Sequence, residues 1–166
     1  MNKPEQWSKN TSALLLLLAS ASSWFEYKGI LNFDQLFKWV PQQMLDISGT
    51  TEWMSSLLLF LGFMIMNIMP INDKKGADIP ALMLFSLSGG VLLMGAEHFV
   101  MLFLGLEILS IPLFVLAGSN KDNLNSNEAA LKYFIMGAFS TAILLLGTAF
   151  IYGGTGTLNL NEIQLK

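Results

Sequence analysis

The chain has 166 residues, of which 53% are hydrophobic and only 13% are charged. A soluble domain carries about 25% charged residues, so this composition indicates a membrane protein. All of its positive charges are lysines and the net charge is −3, which argues against a nucleic-acid surface or a polybasic lipid-binding patch. With no cysteine and one histidine, the sequence offers no disulfide, no thiol nucleophile and no metal cluster.

The first hydrophobic run covers residues 12–25 and follows an N-terminal segment, residues 1–11, that contains Lys3 and Lys9. Its core is five consecutive leucines, followed by small residues. This pattern is typical of a short or tilted first membrane span, and also of a cleaved secretory signal. Both interpretations remain open at this point.

Residues 26–51 form a connector that mixes aromatic and charged side chains. Four apolar residues within it repeat at positions i, i+3, i+4 and i+7, namely Phe33, Leu36, Phe37 and Val40. This spacing predicts an amphipathic helix that lies in the membrane interface and links two spans.

A helical membrane bundle is predicted over residues 52–152. Its spans are expected at about residues 53–70, 79–96, 99–118 and 128–152. Together with the first run they make about five transmembrane helices, so the predicted fold class is an all-α, polytopic membrane protein. Residues 153–166 are expected to form a polar C-terminal end without further structure.

Capping residues mark the boundaries of these spans. Asp78 is suited to cap the third span, and Asn125 followed by Glu128 has the spacing of a capping box at the start of the last one. Two polar residues, Glu97 and His98, separate the third span from the fourth. So short a connection predicts that these two spans are antiparallel neighbours joined by a solvated turn.

The lysines are unevenly shared between alternate connections. One side has Lys3, Lys9, Lys74, Lys75 and Lys121, and the other has Lys28, Lys38 and Lys166. The positive-inside bias predicts that the richer side, including the N-terminus, is cytoplasmic.

One carboxylate, Glu107, lies near the middle of the fourth span. An ionisable group at the centre of a membrane helix costs about 2.5–3.5 kcal/mol, so it is rarely found there without a partner or a function. Glu107 is therefore expected to be a hydrogen-bonded structural carboxyl, a member of a buried ion pair or a proton-transfer group. Five residues later, Pro112 removes the hydrogen bond to the carbonyl of Ile108 and predicts a kink beside the carboxylate.

Lys132 is the basic residue that could work with Glu107. It lies about one turn inside the last span, roughly 6 Å deep, where a lysine can extend to the headgroups. Glu107 is deeper, about 16 Å from the cytoplasmic end of its helix, so a water-bridged relay is favoured over direct contact. The predicted catalytic residues are Glu107 and Lys132, with Pro112 as a structural residue.

Two stretches carry a family resemblance. Residues 102–118 read LFLGLEILSIPLFVLAG and residues 128–140 read EAALKYFIMGAFS. Both closely resemble, without gaps, the corresponding stretches of subunit N of the proton-translocating NADH:quinone oxidoreductase, respiratory complex I. The resemblance extends less tightly back to residue 80, and residues 1–70 share only hydropathy with the family.

The resemblance implies an antiporter-like proton channel in which a buried glutamate works with lysines along a hydrated axis. Glu107 matches that glutamate, and Lys132 matches the lysine of the following helix. The family's principal lysine falls beyond residue 166, so the chain is expected to be about a third of a family member, an incomplete N-terminal portion that does not pump by itself.

The resemblance also implies an inner-membrane location and partners among the other membrane subunits of complex I. No cofactor is expected on this chain; NADH, FMN, iron–sulfur clusters and quinone are expected in partner subunits. Two other functions remain open: a related cation/proton antiporter or membrane-hydrogenase subunit, and a helical membrane scaffold in which Glu107 only packs.

Overall fold

The computed structural model describes residues 3–28, 44–46, 49–68 and 78–165. Its helices are, in chain order, α1 (Lys3–Tyr27), α2 (Gly49–Ile68), α3 (Asp78–Met94), α4 (Phe99–Ala117), α5 (Leu124–Thr155) and the short α6 (Leu160–Gln164). Over these residues the fold has helices and two isolated backbone bridges, with no extended strand. The predicted all-α class is confirmed.

Three of the helices in the described part of the chain, α2, α4 and α5, are long and apolar enough to cross a membrane. Helix α3 is apolar but shorter, with 17 residues. Helix α1 has 25 residues, so the apolar run at 12–25 is part of a longer helix that begins at Lys3. The amphipathic helix predicted over residues 33–40 lies outside the described residues.

Helices α1 and α2 pack together around a small apolar core of Ala13, Leu16 and Met66. The hydroxyl of the buried Ser12 lies 3.0 Å from the Lys9 carbonyl of its own helix and 3.1 Å from the Met66 sulfur of α2, so this polar group has acceptors at the interface. Apolar side chains of α3 pack against the same core. The first three helices therefore form one body.

Helices α3 and α4 are in backbone contact where two glycines meet. A Cβ on Gly89 would overlap the backbone nitrogen of Leu109, and one on Gly105 would lie 3.0 Å from the backbone nitrogen of Leu93. Small residues permit such close approach between membrane helices. Because positions 89 and 93 of α3 contact positions 109 and 105 of α4, the helices run antiparallel, as the short connection predicts.

Helix α5 has 32 residues and reaches about 48 Å, longer than the roughly 30 Å of a bilayer core. From Gly137 to the end of α5, successive half-buried residues are separated by four and then three positions in turn: Gly137, Thr141, Leu144, Thr148, Ile151 and Thr155. This is the spacing of a helix–helix seam. We call these six residues the α5 seam; α5 packs along α4.

The ends of α5 differ from the prediction. Asn123, in extended backbone, caps the helix by accepting from the Asn125 amide at 3.0 Å, so the predicted capping box of Asn125 and Glu128 is wrong. Glu128 lies inside the first turns, where its carboxylate contacts Lys132. At the other end α5 continues to Thr155 and stops at Gly156, whose φ of 72° suits glycine best.

The segment after α5 is structured, which corrects the expectation of an unstructured polar end. It folds back on the turn between α3 and α4, while residues 44–46 bind the same turn from the connector. Four backbone hydrogen bonds hold this three-segment junction: Asp46 N to Gly95 O (2.7 Å), Glu97 N to Met44 O (3.0 Å), Phe99 N to Leu158 O (3.0 Å) and Leu160 N to Glu97 O (2.9 Å). The turn at Glu97 and His98 is therefore half-buried, where the sequence predicted a solvated one.

Candidate functional site

Glu107 lies in the middle of α4 and is half-buried between α4 and α5. Its Oε1 accepts a hydrogen bond of 2.8 Å from the Thr141 hydroxyl of the α5 seam. A mid-membrane carboxyl thus has a polar partner on the next helix, as its insertion cost requires. The hydroxyl carries no charge, so the contact satisfies the carboxyl group without neutralising it.

Pro112 lies within α4, one turn beyond Glu107, and is fully buried. In the turn before Pro112, the carbonyl of Leu109 accepts a hydrogen bond of 3.0 Å from the hydroxyl of Ser86, a buried residue of α3. A proline weakens the backbone hydrogen bonds of the preceding turn. Ser86 of α3 therefore donates a hydrogen bond to the residue next to Ile108, the residue whose carbonyl loses its backbone donor at Pro112.

Aromatic packing fixes α4 against α5 near the carboxylate. The Phe114 ring fills the space over Gly137, where a Cβ would overlap it. Tyr133 and Phe134 contact Phe114 edge-on, with ring centroids 5.3 and 6.0 Å away. Because Gly137 is one turn before Thr141, this contact sets the rotation of α5 that directs the Thr141 hydroxyl to Glu107.

Lys132 is on the outside of α5, with 70% of its side chain exposed, and its Nζ pairs with Glu128 Oε1 at 2.5 Å. Thr141 is nine residues further along the helix, about 14 Å at 1.5 Å per residue. The two predicted catalytic residues are thus not in direct contact, in agreement with the depth difference inferred from the sequence. Neither contact was predicted from the sequence: Glu128 is the partner of Lys132, and Thr141 is the partner of Glu107.

A separate groove of about 660 Å³ lies beside the C-terminal end of α4 and the loop that connects it to α5. Asp78 and Ile79 of α3 form one wall, and Val115, Ser119 and Lys121 belong to the other. Glu107 and Lys132 do not line it, so it is distinct from the α4–α5 interface. Over the described residues, no three histidine or carboxylate side chains come together as a metal site.

The chain is similar to known membrane proteins, and a family model matches its second half. Residues 96–166 match the model of the family described as NADH:quinone oxidoreductase/Mrp antiporter, transmembrane. NADH-quinone oxidoreductase subunit N of Cytophaga hutchinsonii is 55% identical over 93 residues, which cover 56% of this chain and 20% of that protein. Subunit N of Flavobacterium johnsoniae is 40% identical over 125 residues, covering 73% of this chain and 27% of that protein.

A solved structure of similar fold is respiratory complex I from Thermus thermophilus with bound aureothin. One of its chains superposes with a TM-score of 0.74 and 28% sequence identity, covering 95% of this chain and 34% of that one. This chain thus spans between a fifth and about a third of the length of these relatives. The predicted resemblance is confirmed: the chain is an all-α membrane protein similar to part of subunit N, and its residues 96–166 match the model of the NADH:quinone oxidoreductase/Mrp antiporter family.

Proposed function

We propose that this chain is part of a membrane subunit of an NADH:quinone oxidoreductase and contributes to proton translocation through Glu107. The observation that carries the proposal is the position of this carboxyl group. It is half-buried in the apolar α4, and its hydrogen-bond partner is a neutral hydroxyl on a different helix. A hydroxyl partner is compatible with either protonation state of the carboxyl group, as a proton-transfer group requires.

Lys132 is proposed as the outer member of the relay, on the side where α5 begins. Its exposed ammonium group and its contact with Glu128 suit a site that exchanges protons with bulk water. About 14 Å of α5 separates it from Thr141, a distance that requires bridging water molecules. By the lysine distribution, this side is the cytoplasmic one and the N-terminus lies there.

The subunit N relatives favour a redox-driven complex over the Mrp-type antiporters that the family model also includes. We propose that the partners are the other membrane subunits of that complex, in a bacterial inner membrane. Electron transfer, with NADH, FMN, iron–sulfur clusters and quinone, belongs in this proposal to other subunits. The chain by itself is proposed to be inactive in pumping.

The proposal is tested by Glu107→Gln in the assembled NADH:quinone oxidoreductase that contains this chain, with protons translocated per NADH oxidised as the readout. Glutamine keeps the shape and a carbonyl that accepts from Thr141, but cannot carry the proton. We expect a loss of proton translocation per electron. Unchanged stoichiometry would contradict the relay and favour the scaffold role.

A matched control is Glu162→Gln, which removes an exposed carboxylate of α6 that also accepts from a threonine hydroxyl, that of Thr157, at 2.6 Å. We expect this variant to translocate protons normally. Co-purification of the chain with NADH-oxidising activity separates the quinone oxidoreductase from a cation/proton antiporter, which would be isolated without that activity.

A further inference from the structure

We infer that Thr141 is a positioning residue that keeps a hydrogen bond to Glu107 in both protonation states of the carboxyl group. The inference deepens the proposed function and rests on it, because two states matter only if Glu107 exchanges a proton. Its basis is a difference among three half-buried threonines of the α5 seam, Thr141, Thr148 and Thr155, which are spaced seven residues apart.

Two of these hydroxyls have a partner within α5. Thr148 donates to the carbonyl of Leu144 at 2.9 Å, and the Thr155 hydroxyl lies 2.8 Å from the carbonyl of Ile151, with that of Thr157 at 3.0 Å as a second acceptor. Both α5 carbonyls are four residues back, the usual local partner of a threonine in a helix. Thr141 instead directs its hydroxyl across the interface to Glu107. The carbonyl that would be its local partner is that of Gly137, one turn earlier.

The observed bond suits an ionised Glu107, because a carboxylate only accepts and the Thr141 hydroxyl has a hydrogen to donate. When a proton binds Glu107, the carboxyl O–H becomes a donor. The Thr141 oxygen is then the acceptor for that O–H, because a hydroxyl oxygen accepts as well as donates. The bound proton stays on Glu107 and the hydroxyl hydrogen stays on Thr141, so only the direction of the hydrogen bond changes.

This exchange leaves neither state of Glu107 without a partner within the membrane. An unsatisfied polar group is strongly disfavoured in a hydrocarbon environment, and a partner that served one protonation state alone would oppose the other. A hydroxyl serves both because it donates and accepts, whereas a lysine ammonium only donates. Thr141 therefore allows proton uptake and release at Glu107 without repacking α4 against α5.

The test is infrared spectroscopy of the full chain in lipid bilayers, comparing acid and alkaline pH. Thr141→Val removes the hydroxyl and keeps the side-chain shape, Thr141→Ser keeps the hydroxyl, and Thr148→Val removes a seam hydroxyl that donates within its own helix. The bands of Glu107 are identified as those lost in Glu107→Gln. We expect Thr141→Val to shift both the carboxylate band at alkaline pH and the carboxyl C=O band at acid pH.

Thr141→Ser and Thr148→Val are expected to leave both bands at their wild-type positions. The inference is overturned if Thr141→Val shifts neither band or only one of them, or if Thr148→Val shifts them equally. Failure of the proposed function is a separate result, because it would be unchanged proton translocation in Glu107→Gln of the assembled complex, measured without reference to these bands.

Discussion

At the scale of single residues, the candidate site depends on hydroxyl groups that reach from one helix to another. Thr141 of α5 donates to Glu107, and Ser86 of α3 donates to the Leu109 carbonyl close to Pro112. Each contact gives a polar group of α4 a hydroxyl partner on a neighbouring helix. The carboxyl group of α4 and the turn that precedes its proline are thus each contacted by one hydroxyl of a neighbouring helix.

The Ser86 contact predicts a stability difference between two serines of the same helix. Ser86→Ala removes the hydroxyl of a buried residue and its hydrogen bond to the Leu109 carbonyl, which we expect to lower the free energy of unfolding by about 0.5–1.5 kcal/mol. Ser88 is exposed and donates to Phe85 in its own helix, so Ser88→Ala is expected to change it by less than about 0.5 kcal/mol. Denaturant unfolding in detergent micelles measures both. Equal effects would refute the assigned role of Ser86.

At the scale of helices, packing density is very uneven. Helices α3 and α4 touch through their backbones at Gly89 and Gly105, whereas α5 buries no residue fully in the described structure. The glycines of these helices therefore have different roles. Gly89 is required by the close approach to Leu109, while nothing lies within 4 Å of the position that a Cβ on Gly147 would take.

Alanine substitution is expected to have opposite effects at these two glycines. Gly89→Ala forces α3 away from α4 and should lower the free energy of unfolding by about 1–3 kcal/mol. Gly147→Ala meets no neighbour and replaces glycine inside a helix, so it should raise that free energy by roughly 0.5–1 kcal/mol. Thermal unfolding followed by circular dichroism compares the two variants. A stabilised Gly89→Ala variant would show that the backbone contact is dispensable.

At the scale of the whole molecule, the three-segment junction ties distant parts of the chain together. Residues 44–46, the turn before α4 and residues 158–160 share backbone hydrogen bonds, although the first and last are more than a hundred positions apart. The junction closes the loop formed by α4 and α5 at the end opposite to Lys132. It therefore fixes the start of α4 and, through it, the level of Glu107 relative to Thr141.

The junction predicts a local change in hydrogen exchange. Truncation after Gly156 removes the Leu158 carbonyl that accepts from the Phe99 amide, so exchange at Phe99 should become about tenfold faster or more, which corresponds to roughly 1.4 kcal/mol of opening free energy. The Gly118 amide, which donates to Phe114 at the other end of α4, is the internal control and should be unaffected. Exchange at Phe99 that is insensitive to truncation would contradict the role of the C-terminal segment.

Local sequence patterns predict some features of this fold correctly and others incorrectly. The spans of α4 and α5, the turn between α3 and α4 and the deep position of Glu107 follow from local patterns of apolar and polar residues. The capping residue Asn123 was missed because Asn125 and Glu128 satisfy the same local pattern two residues later. The folded C-terminal segment was missed because its partners are backbone groups of a turn about sixty residues earlier, and such pairing leaves no periodic signal.

The sequence by itself determined the class of this protein and its main apolar helices. It also singled out Glu107, because a carboxylate within a long apolar run is costly wherever that helix packs. Tertiary structure decided what that residue touches. Glu107 and Thr141 are 34 positions apart, and Ser86 and Leu109 are 23 apart. These contacts depend on how each helix is rotated and how closely it approaches its neighbour, which Gly89, Gly105 and the Phe114–Gly137 contact set and hydropathy alone does not specify.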